Sequence, residues 1–94
     1  MKEVTLFYLE HCPYCIKARK AIDELKAAKP EYRDIDVKWI EESKETEIAN
    51  TYDYYYVPSV YYGRKKLYEV NPSENYEDIK GNIDRAFGEV CGDR

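Results

Sequence analysis

Two cysteines, Cys12 and Cys15, flank Pro13 and Tyr14 where a short apolar run gives way to a helical pattern. A thiol at a helix start meets unpaired N–H groups and the positive end of the dipole, and both favour the thiolate. A spacing of three places the two sulfurs on neighbouring positions of the first turn, close enough to bridge. Cys12 lies at the tip and Cys15 already inside the helix. The pair therefore reads as an attacking sulfur with a sheltered resolving one behind it, which is the equipment of thiol–disulfide exchange.

Other readings of the pair are weaker. A zinc or iron–sulfur site usually takes four ligands. Beyond the pair only His11 and Cys91 are on offer, and His11 adjoins Cys12 in the chain. No metal site is expected. A purely structural Cys12–Cys15 bridge closes too short a loop to remove much unfolded-state entropy.

The flanking sequence supplies the scaffold. Val4 to Leu9 is rich in strand formers and reads as a buried strand. Pro13 suits a helix start. Cys15, Ala18, Ala21, Ile22 and Leu25 then share one face of a helix that ends before Pro30. Tyr32 to Ile40 alternates Ile35, Val37 and Trp39 with charged residues, as a strand does. Ser43 is placed to cap a second helix running to about Asn50, and Trp39 to pack in the core. Val57 to Tyr62 and Lys65 to Val70 form a hairpin about Gly63-Arg64. Tyr76, Ile79, Ile83, Ala86, Phe87 and Val90 line one face of a last helix. The order is β-α-β-α-β-β-α. This implies an α/β fold, with a four-stranded mixed sheet covered by helices on both faces, in one domain spanning residues 1–94.

Composition narrows the function. Leu, Ile, Val and Phe make up 19 of 94 residues, while Tyr alone contributes 11 and the net charge is −4. An acidic balance gives no footprint for nucleic acid or an anionic membrane. No apolar run reaches the ~18 residues of a membrane span, and the first residues do not form a signal peptide. Three cysteines, two of them adjacent in space, are not a secreted disulfide framework. A cytoplasmic monomer is expected.

The segment Cys12-Pro13-Tyr14-Cys15, following a strand and opening a helix, resembles the active site of dithiol glutaredoxins, within the thioredoxin superfamily. Tyr56-Val57-Pro58, followed by a strand, resembles that superfamily's cis-proline loop. The resemblance implies a thioredoxin-like fold and an oxidoreductase with catalytic Cys12 and Cys15. It implies that Pro13, Tyr14, Val57 and Pro58 contact substrate, the Val57 backbone pairing with it beside the reactive sulfur. Pro58 also reads as an ordinary edge-strand proline. By the resemblance, the Cys12 thiolate forms a mixed disulfide, Cys15 resolves it, and an external reductant restores the dithiol. No bound cofactor is implied. Glutathione or another thiol serves as electron donor, and the partners are proteins carrying disulfides together with a reductant system.

The chain departs from the glutathione-using pattern. Leu9 stands where those members carry a basic residue, and Glu10 follows it. The stretch before the last helix, Tyr68 to Asn75, lacks their Gly-Gly pair. A thioredoxin-like reductant fed by a flavoprotein reductase is the alternative, and a metal- or iron–sulfur-binding module a more remote one. His11 reads either as a modulator of the Cys12 thiolate or as a solvated loop residue. Tyr52 to Tyr56 reads as a docking surface or, preferably, as aromatic filling for a core short of aliphatics. Arg64-Lys65-Lys66 is a solvated hairpin tip, and Cys91 a bystander near a fraying terminus.

Overall fold

The computed structural model describes residues 2–92. Strand β1, Lys2–Tyr8, leads to helix α1, Pro13–Ala28. A 3-10 turn, Pro30–Asp34, precedes β2, Ile35–Glu41. A single turn, α2, covers Thr46–Ala49. Strands β3, Ser59–Tyr62, and β4, Lys65–Glu69, form the hairpin, and α3 spans Tyr76–Gly92. The sheet order is β2-β1-β3-β4, with β1 parallel to β2 and the other neighbours antiparallel. This is the order and the mixed sheet that the sequence implies. Gly63, with φ of 63°, supplies the left-handed residue of the hairpin turn.

Alternation along the strands builds two unequal cores. Val4 and Leu6 on β1, Ile35 on β2 and Val60 on β3 face α1 and α3. There they meet Ala18, Ala21, Ile22, Leu25, Ile79, Ile83, Ala86 and Phe87. Phe7, Ile40 and Tyr61 point the other way. Among the described residues they are covered by Ala49 of α2 and by Tyr52, Tyr54 and Val57. Phe7 is fully buried, its ring 4.7 Å from that of Tyr52 and 4.9 Å from that of Tyr54. Aromatics thus replace a second long helix on this face; the filling reading of Tyr52 to Tyr56 holds for Tyr52 and Tyr54, whereas Tyr55 and Tyr56 are exposed.

Four expectations need correction. Ser43 does not cap α2; its amide and hydroxyl both donate to Glu41 Oε1 at 2.7 Å. This tie leaves Ser43 in the turn before α2, whose N-cap position is Glu45, and with only Ala49 buried, α2 stops after one turn. Tyr32 does not open the strand. It is buried within the 3-10 turn, its ring against Phe87 and its hydroxyl 2.6 Å from Asp84 Oδ1. Trp39 packs against the larger core from the edge strand β2 but lies at its rim, half-buried, with the Arg19 guanidinium 3.9 Å from its ring centre. Cys91 is a helical residue of α3, half-buried; Asp93 and Arg94, the rest of the expected frayed end, lie outside the described residues. Among the described residues, no helix is long and apolar enough to cross a membrane.

Candidate active site

Cys12 is the N-cap of α1 and Pro13 its first residue. The cap conformation is extended, and the Cys12 carbonyl accepts the Ile16 amide at 3.0 Å. Pro13 has no N–H, so Tyr14 and Cys15 carry the first amides of the helix without partners in the turn before. The Cys12 side chain caps none of them and is half-buried, whereas Cys15 is buried. Both thiols are free.

Burial pushes the Cys15 thiol up to about 12, and a hydrogen bond with Cys12 and the charge of Glu42 add to the rise. A backbone hydrogen bond at Leu9 acts in the opposite sense. Cys15 is thus a protonated thiol held behind a more accessible one.

The Cys12 thiol donates toward the Val57 carbonyl oxygen, Sγ to O 3.7 Å. The Val57–Pro58 peptide bond is cis, and Pro58 is buried. The proline loop is tied on both sides. Ser59 Oγ donates to the Tyr56 carbonyl at 2.5 Å, and the Val70 amide to the Pro58 carbonyl at 3.0 Å. Upstream, the amides of Tyr55 and Tyr56 both donate to Glu69 Oε2 at 2.8 Å.

Tyr14 closes the other flank, its hydroxyl donating to the Pro72 carbonyl in the loop before α3. That loop also satisfies its own helix end. Asn75 Oδ1 accepts the Asp78 amide at 2.9 Å, and Asp78 Oδ2 accepts the Asn75 amide at 3.1 Å, a reciprocal cap. His11 is exposed, with no hydrogen bond or ion pair of its ring to the described residues, which favours the solvated reading. It lines an open groove of about 470 Å³ with Leu9, Glu10, Cys12, Glu41 and Lys44. Glu41 Oε2 accepts the Glu10 amide at 3.3 Å, fastening this loop to the end of β2. The two Ser43 donors hold the Glu41 carboxyl below its ordinary range.

The sequence-predicted residues Cys12, Cys15, Val57 and Pro58 therefore meet at one place, with Pro13 and Tyr14 beside them. Cys91 does not join them. Its Sγ faces the Glu31 carbonyl at 3.6 Å, near Lys2, at the opposite end of β1. Among the described residues, no three His, Cys, Asp or Glu side chains are grouped so as to hold a metal ion.

The glutaredoxin family model matches residues 4–67, more than half of the chain. The chain belongs to the glutaredoxin family. The matched stretch runs from β1 through the Cys12 segment and the cis-proline loop into β4. No curated protein matches the chain significantly. Among solved structures, one described as that of a malarial protein superposes with a TM-score of 0.59 at 15% identity, over 89% of this chain and 94% of that one. The first two thioredoxin domains of Saccharomyces cerevisiae Eps1p give a TM-score of 0.55 at 16% identity, over 89% of this chain and 33% of theirs. At these identities the likeness is one of fold. These neighbours agree with the thioredoxin-like architecture, and the glutaredoxin assignment with redox function in the general sense.

Sequence reasoning missed two carboxylates of this glutaredoxin site, Glu41 and Glu69. Each ends a strand and grips a loop next to Cys12 or Val57. Nothing in strand periodicity separates such a residue from an ordinary solvated glutamate.

Proposed function

We propose that this protein reduces disulfides carried on other proteins by dithiol exchange through Cys12 and Cys15. The observation that carries the reading is the approach of Cys12 Sγ to the Val57 carbonyl, with Cys15 buried in the first turn of α1 behind it. The Cys12 thiolate attacks one sulfur of the substrate, forming a mixed disulfide and expelling the other sulfur as a thiolate that takes up a proton. Cys15 loses its proton and attacks Cys12 Sγ, and the substrate's remaining sulfur leaves as a second thiolate. The substrate gains two electrons, and the protein is left with a Cys12–Cys15 bridge. Val57, ahead of the proline, offers its backbone to an extended substrate segment in the manner of an added strand. Pro58 shapes that loop, while Pro13 and Tyr14 border the sulfur.

An external thiol then restores the dithiol, and no bound cofactor is needed. The setting that suits this chemistry is a reducing cytoplasm, with the protein acting as a monomer. Glutathione is a poor specific ligand in this reading. Its carboxylates call for cations or open helix-end amides. Leu9 and Glu10 provide no cation, the reciprocal cap occupies the Asp78 amide, and the Tyr14 hydroxyl is engaged by Pro72. This favours a reductase-fed cycle over a glutathione-fed one. The deciding experiment compares reduction of the Cys12–Cys15 bridge by glutathione and by a thioredoxin reductase. Rapid reduction by the flavoprotein and slow reduction by glutathione is the expected result. The reverse overturns the choice of donor, and a Cys12→Ser variant that still reduces a protein disulfide overturns the mechanism.

A further inference from the structure

The segment from Tyr54 to Val57 has an unusual anchorage. Tyr54 is held by its side chain, stacked on Phe7 with its hydroxyl 2.6 Å from Glu42. The next two residues are not held in that way. Tyr55 is 87% exposed and Tyr56 52% exposed, so neither side chain is buried in the core. No helix or strand covers these residues, and a backbone without either must find its partners elsewhere. Here both amides converge on a single oxygen, Glu69 Oε2, each at 2.8 Å. The other oxygen, Oε1, receives Lys66 Nζ at 2.7 Å, and the Glu69 side chain is 16% exposed. A carboxylate suits two converging donors because it is charged and has lone pairs to accept both.

Val57 follows directly, and its carbonyl is the group that faces Cys12 Sγ. Between Tyr54 and Val57, whose side chains both pack against the smaller core, Glu69 is the side chain that fixes the intervening Tyr55 and Tyr56 amides. Ser59 and Val70 fix the downstream end. We propose that Glu69 is a positioning residue of the reducing site: by binding the Tyr55 and Tyr56 amides it holds the Val57 backbone where an extended polypeptide must dock. This rests on the reading of the protein as a disulfide reductase. Glu69 touches neither sulfur, so its effect is confined to substrates that use the Val57 backbone. A small disulfide with no peptide backbone reacts at Cys12 without it.

The test uses pre-reduced full-length protein in single-turnover reactions, which removes the electron donor from the measurement. The probes are a peptide disulfide and bis(2-hydroxyethyl) disulfide. Glu69→Ala removes the acceptor. Glu69→Asp keeps the charge but withdraws it by one methylene, and serves if the alanine variant does not fold. Glu69→Gln keeps an acceptor oxygen and is the rescue. The expected result is a loss of about tenfold in the second-order rate constant for the peptide with Ala and Asp, near wild-type rates for Gln, and a change below about twofold for the small disulfide throughout. Equal slowing of both probes, or no slowing of the peptide, overturns the assignment. A wild-type protein that reduces neither probe instead overturns the reading of the protein as a reductase, and the assignment falls with it.

Discussion

The carbonyl oxygen of Val57 lies 3.7 Å from Sγ of Cys12, across 45 residues of sequence. A thiol that donates to this oxygen loses that hydrogen bond when it ionises, and the carbonyl is then left facing an anion. An incoming backbone N–H offers the oxygen a new donor. In the proposed reaction, substrate docking and thiolate chemistry therefore meet at one pair of atoms.

The roles of the two thiols are separable by alkylation. Cys15 is buried and pushed up to about 12, so near neutral pH it is almost wholly the unreactive thiol. Cys12→Ser is expected to abolish exchange and to leave a protein that iodoacetamide labels slowly near pH 7. Cys15→Ser is expected to label readily and to accumulate mixed disulfides with substrate, seen by mass spectrometry of the intact protein. Rapid labelling of Cys12→Ser together with loss of labelling in Cys15→Ser reverses the assignment.

Glutathione recognition is expected to be weak. One missing charge-assisted contact costs ~1.5–3 kcal/mol, which is roughly tenfold to over a hundredfold in affinity. Deglutathionylation of a model peptide, measured side by side with a dithiol glutaredoxin, should show lower kcat/KM. Equal efficiencies would show that Tyr14 and the exposed Tyr55 and Tyr56 hold the tripeptide without a cation at position 9.

Cys91 is expected to be dispensable. It sits in the last turn of α3, facing a backbone carbonyl, and burial raises its thiol above the ordinary range. Cys91→Ser should leave turnover within about twofold. A loss of about tenfold, equivalent to ~1.4 kcal/mol of barrier, would draw it into the mechanism.

Phe7 carries the thinner of the two cores. Its ring is fully buried among Tyr52, Tyr54 and Tyr61. Phe7→Ala is expected to cost ~3–5 kcal/mol, measured by denaturant unfolding. That is a large share of the ~5–15 kcal/mol available to a domain. A cost below ~1 kcal/mol would mean that the tyrosines collapse into the space, against the packing described here.

Much of this architecture is legible in the sequence because periodicity reports burial. The α1 stripe from Cys15 to Leu25 and the α3 stripe from Ile79 to Val90 are buried as their spacing requires. The meeting of Cys12 with Val57 follows from a family resemblance, since no periodicity links residues 45 apart. The errors share a cause. Ser43 reads as a helix cap until the folded chain ties it back to Glu41 and starts α2 only at Thr46. Tyr32 fits a strand until Asp84, 52 residues away, takes its hydroxyl. Glu69 is ordinary until two amides from another loop arrive at it. Each depends on which polar groups the folded chain brings together, and local pattern carries no information about that.

The tyrosines that fill in for scarce aliphatics also set an alkaline ceiling on the fold. Tyr32 donates to Asp84, Tyr54 to Glu42, Tyr68 to Glu74 and Tyr76 to Glu24. Each bond needs the phenolic proton, and burial first, then the facing carboxylate, raises every one of these groups, Tyr76 to about 12. In the unfolded chain the same phenols ionise near ~10. As the pH climbs past that value, the unfolded state sheds protons that the folded state still holds, and stability drains away. A core of leucine and isoleucine would be indifferent to base; this one is not.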